Sequence, residues 1–165
     1  MDERNIEEII NEELPSGDQE IALDFVRYLH EMKLDFVRDR GYWKDKVYYL
    51  IKLDNQCVCF IAIKDPDEKH NRWTVWSDDM DSRYLEKYPL EKSLRETAWE
   101  HVDLCGACGS CGGGRRKTIF GKIFEKVCGC TFRFDNPDAQ DLLFMKKMVE
   151  IRIKELTAPA TFANE

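Results

Sequence analysis

The sequence predicts an α+β domain, a small antiparallel sheet of about four strands packed against N-terminal, middle and C-terminal helices, with a Cys/Gly-rich metal-binding loop inserted before the last strand. Three observations carry this. Apolar residues recur at helical spacing toward both ends of the chain, they alternate with polar residues through its middle, and five cysteines crowd into residues 105–130.

From Glu3 to Leu14 the residues Ile6, Ile9, Ile10 and Leu14 fall on one helical face, and Pro15 stops the segment. Ser16 and Gln19 have the form of a capping box that opens a second helix running to about Lys33, with Ile21, Ala22, Phe25, Val26, Leu29 and Met32 in its apolar stripe. After Gly41 the period changes to two. Val47, Tyr49, Ile51 and Leu53, the turn pair Asp54-Asn55 and the run from Gln56 to Lys64 read as an antiparallel hairpin. Cys57, Cys59, Ile61 and Ile63 then share one face of its second strand. A third strand around Arg72–Ser77 follows in meander order, with Trp73 and Trp76 on opposite faces.

Asp78, Asp79 and Asp81 read as a helix entry, where carboxylates cap backbone N–H groups and complement the dipole. Leu90, Leu94, Ala98 and His101 mark the helix behind it, with Pro89 interrupting its early part. Thr131–Phe134 forms the fourth strand, and Asp135-Asn136-Pro137 starts a last helix to Leu156 that turns Leu142, Met145, Val149 and Ile153 inward. The expected organisation is a single domain over 1–157, containing the 105–130 cysteine segment, and a frayed tail over 158–165.

The chain has 165 residues, of which 43% are hydrophobic and 12% aromatic, a composition that excludes a wholly disordered polymer. No run reaches the roughly 20 apolar residues of a membrane span, and the acidic start Met1-Asp2-Glu3-Arg4 lacks the form of a leader, so the expectation is a cytoplasmic protein without a membrane partner. A net charge of −7 argues against general binding of nucleic acid.

In a reducing compartment, clustered thiols are read as metal ligands or redox groups before disulfides. Cys105-Gly-Ala-Cys108-Gly-Ser-Cys111 is a C-x2-C-x2-C run followed by Cys128-Gly-Cys130, and 105–114 contains five glycines in ten residues. This spacing lets thiolates converge on one ion, and the expected set is Cys105, Cys108, Cys111 and Cys128 around structural Zn²⁺, with Cys130 and His101 as alternates. Four protein ligands leave no open position, so the reading is structural and leans away from an enzyme. The alternative is a 4Fe-4S cluster or another thiol redox group, although Gly112-Gly113-Gly114 stands where a ferredoxin run continues toward Cys-Pro.

Arg115, Arg116 and Lys117 follow the thiols, and 115–126 carries five basic residues against Glu125 alone. Such an island compensates thiolates or contacts an anion, and it is the one segment where nucleic acid is compatible with the charge. Trp73 and Trp76 are the candidates for lining a small-molecule pocket, the third reading, in which a regulatory domain binds a small molecule or a protein and the cysteines are incidental. Two arginines separate Gly114 from Lys117, which argues against a nucleotide-hydrolysing P-loop.

The stretch from Val47 to Ile63, the strand Trp73-Thr-Val-Trp76-Ser-Asp, the run Val102-Asp-Leu-Cys-Gly-Ala-Cys-Gly-Ser-Cys and the closing Thr131-Phe-Arg-Phe-Asp-Asn-Pro-Asp138 together resemble a family of small bacterial proteins with a CxxCxxC loop. The resemblance covers most of the chain after Ile21 and implies a compact α+β domain. It implies no activity, substrate or catalytic residue.

Overall fold

The computed structural model describes residues 4–39, 47–66, 68–78, 84–105 and 113–158. Among these, five helices and seven strands occur in the order α1 (Ile6–Glu13), α2 (Ser16–Glu31), β1 (Asp35–Arg38), β2 (Val47–Leu53), β3 (Gln56–Ile63), β4 (Trp73–Ser77), α3 (Tyr84–Lys87), α4 (Lys92–Glu100), β5 (Val102–Leu104), β6 (Arg115–Ile119), β7 (Lys122–Asp135) and α5 (Ala139–Thr157). The class is α+β. The seven strands form one antiparallel sheet in the order β1-β2-β3-β4-β7-β5, with β6 pairing β7.

Seven strands replace the expected four for a physical reason. The short β1 and β5, of four and three residues, are too brief to show a period. The β6–β7 hairpin carries its cations where an isolated sequence reads a solvated loop, and the fourth strand grows into the 14 residues of β7. Pro89 falls between α3 and α4 as a full break. Ser16 does not cap α2. Pro15 stands at the N-cap, and the Gln19 amide donates to the carbonyls of Leu14 (2.6 Å) and Asn11 (3.0 Å), tying α2 to the end of α1.

The β2–β4 meander follows the alternation. Asp54 and Asn55, at φ 48° and 68°, form the two-residue turn, and both positions need the left-handed region that Asn and Asp tolerate. One sheet face buries Ile51, Cys59, Ile61, Ile63, Trp73, Val75, Phe132 and Phe134. Helix α5 lies against β3, flanked by α2 and α4, and contributes Phe144, Met145 and Val149 to the same core. Each such side chain contributes about 1.5–3 kcal/mol by leaving water. Phe144 meets the rings of Phe132 and Phe134 at 5.0 and 6.0 Å, in the tilted arrangements that aromatic quadrupoles favour. Asp138 and Asp141 form a reciprocal capping box at the start of α5, beyond Pro137. No described helix is long and apolar enough to cross a membrane.

Candidate functional site

Strand β7 carries Cys128 and Cys130 and pairs β5, which Cys105 follows. Its far end pairs β4, its near end pairs β6, and between them β5 is in register at Val102↔Phe132 and Leu104↔Val127. Over that interval β5 advances two residues while β7 advances five, so Cys128, Gly129 and Cys130 sit in an expanded bulge. Lys126 (φ 54°) and Thr131 (φ 60°) flank it. A left-handed β-branched Thr is strained by about 1–3 kcal/mol, and such strain survives only where the surroundings hold it.

The surroundings do hold it. Thr131 is fully buried, its hydroxyl accepts from the Lys117 ammonium at 2.6 Å, and the Ser77 hydroxyl bridges the gap in the ladder, donating to the Cys130 carbonyl and accepting from the Phe132 N–H at 3.2 Å.

Cys105 follows directly on β5, and its N–H donates to the Lys126 carbonyl at 2.7 Å. The chain comes back to the same point. A Cβ added to Gly114 (φ 85°) would lie 2.7 Å from the Lys126 carbonyl and 2.9 Å from the Cys105 Cβ, so only glycine fits. The cysteine run therefore leaves and re-enters the fold beside Lys126, two residues from Cys128. Cys108 and Cys111 lie outside the described residues, as do Asp79, Asp81 and the tail after Ala158. Among the described residues no group of three His, Cys, Asp or Glu is arranged to hold a metal.

Asp103 lies in β5, two positions before Cys105. Burial holds its carboxyl above the usual range; Arg133 pulls it back, and Asp135 and Glu68 add to the rise. It also lines an open cleft of about 270 Å³ with Glu100, His101, Val102, Arg133 and Asp135. Arg133 is clamped between Glu68 (2.5 Å) and Asp135 (3.0 Å) and lies 5.3 Å over the Trp76 ring. Burial works against its charge, but the two carboxylates outweigh that and hold the guanidinium above its ordinary range.

His101 has its Nε2 2.7 Å from Asp141 and its ring against Phe134, which commits that nitrogen to the start of α5. Trp73 is buried in the core and Trp76 half-buried on the opposite face, beside Tyr48 at 6.1 Å. Burial, followed by the charge of the Cys130 thiol, raises the Tyr48 phenol. Arg116 reaches Glu125 at 3.2 Å, and Lys117 points to Thr131. On β3, Cys59 is fully buried and its thiol is pushed up by that burial, as befits a small apolar core residue.

No known family matches the chain. Neither a curated protein nor a solved structure matches it either, so the chemistry rests on these residues alone. Sequence reasoning missed Asp103, Arg133 and Ser77. Asp103 alone left a signal, standing two positions before Cys105 on a strand.

Proposed function

We propose that the chain is a cytoplasmic metal-binding protein, in which a structural Zn²⁺ is held by Cys105, Cys108, Cys111 and Cys128 and fixes the 105–114 segment onto the sheet, leaving a module that binds and does not catalyse. One observation carries the reading. The β5–β7 pairing sets Cys105 beside the bulge that holds Cys128 and Cys130, and Gly114 closes the segment at that same point. Residues remote in sequence thus stand together in a backbone geometry that costs energy, a pattern found where a site is built. The Lys117 ammonium at Thr131 supplies positive charge next to a thiolate set of about −2.

Metal analysis of anaerobically purified protein tests this: one colourless zinc per chain is expected, lost in Cys105→Ser and in Cys128→Ser and retained in Cys59→Ser. A visible charge-transfer band would move the assignment to an iron–sulfur cluster, and unchanged metal in both serine variants would defeat either form. The cleft beside Arg133 favours a second reading, a small-molecule site on a regulatory domain, which metal-free purified protein with an intact fold would support.

A further inference from the structure

The β6–β7 hairpin is a rigid, cationic arm on an acidic body. Its tip, Phe120 (φ 48°) and Gly121 (φ 86°), is a two-residue turn docked on α3, where the Phe120 N–H donates to the Leu85 carbonyl at 2.6 Å and the Gly121 N–H to the Glu86 carbonyl at 3.1 Å. Its root is fixed by the Cys105–Lys126 hydrogen bond and by the close approach of Gly114.

Between these anchors Arg115, Arg116, Lys122 and Lys126 are exposed, Arg116 reaching Glu125 at 3.2 Å across the hairpin, and Ile123 shows 55% of its surface. Lys122 stands 5.3 Å over the rings of both Trp99 and Phe124. The 115–126 stretch has a surplus of four positive charges in a chain of −7, which leaves the remainder at −11.

We infer that this arm is a docking surface for single-stranded nucleic acid, bound through its phosphates. An arm fixed at both ends loses little entropy on binding, and arginine forks match phosphate oxygens. Four residue steps of strand lead from Lys122 to Lys126, a run of about 14 Å that spans several phosphates of a flexible strand. A duplex rod would bring further phosphates against the acidic remainder, and a single strand follows the hairpin without that repulsion. The inference goes beyond the metal reading and does not depend on it.

The test is fluorescence anisotropy of a labelled oligodeoxythymidine of roughly 20 nucleotides with the full chain. Four phosphate contacts predict binding that weakens about fifty-fold between 50 and 200 mM salt. Arg116→Glu with Lys122→Glu should weaken it at least tenfold, while Lys92→Glu, at an exposed lysine on α4, should leave it within about twofold. Circular dichroism reports the fold; should the Glu pair unfold, the Gln pair at the same positions replaces it, with a smaller loss expected. No anisotropy change at 50 mM salt, an equal loss in Lys92→Glu, or tighter binding to polyglutamate or to phosphatidylserine vesicles would each overturn the inference.

Discussion

The β2–β4 meander and the β5–β7 corner belong to one sheet yet are ordered by different forces. In the meander, the inward side chains are apolar except for Ser77 at its end, the β3–β4 register runs without a break, the β2–β3 register shifts once at Ile51/Lys52, and helices cover the face. In the corner, the β5–β7 and β6–β7 pairings both shift register, Lys126 and Thr131 take positive φ within the paired strand itself, and a serine hydroxyl, a lysine ammonium and main-chain carbonyls hold the bulge beside the buried Ile119, Val127 and Phe132. The contrast teaches where the stability resides. Both halves share one apolar core, and at the corner polar contacts that each contribute about 1 kcal/mol are added to it to hold the bulge.

The comparison breaks first at Phe144. This ring is fully buried where α5 meets Phe120, Phe132 and Phe134, so Phe144→Ala should cost about 3–5 kcal/mol in urea unfolding and destabilise both halves together. A loss confined to the corner would show that the core does not span the sheet. Gly114→Ala sharpens the contrast, since its Cβ meets backbone at 2.7 Å and its φ of 85° disfavours any side chain; a cost of about 1–3 kcal/mol is expected. Hydrogen exchange should quicken in β6 and in the near end of β7, with β2 and β3 unchanged.

The smallest effect concerns Asp78, whose carboxyl is raised by burial and only partly relieved by Arg152. An acid raised in the fold favours the folded state while protonated, and that advantage fades as pH climbs through its folded value. Asp78→Asn should therefore raise the melting temperature slightly at pH 7 and lose the gain below about pH 4, near the ordinary value of an exposed carboxyl group.

The same contrast decides what could be read from the sequence. Helices α1, α2 and α5 and strands β2 to β4 are legible because burial imposes a period, and Asp54-Asn55 because left-handed positions select those residues. The hairpin is not, since Lys122 and Arg116 disguise its alternation and a phenylalanine stands at a turn position that ordinarily selects Gly or Asn; only the carbonyls of Leu85 and Glu86, supplied by the fold, hold it there. At the site, the x2 spacing marks the cysteines, but the partnership of Cys105 with the bulge is a matter of strand pairing. His101 has a partner, Asp141, 40 residues on, beyond any local pattern.

Strand β7 also sets the order of assembly. The meander and the β6–β7 hairpin join neighbours in sequence and can close early, whereas β4 pairs with β7 between Thr74 and Asp135, across some 60 residues. Closing that long loop is the slow step in topological terms. Until β7 docks, Ser77 has no bulge to bridge and Cys105, just after β5, is apart from the cysteines of β7, so the sheet's last seam and the thiol neighbourhood form together.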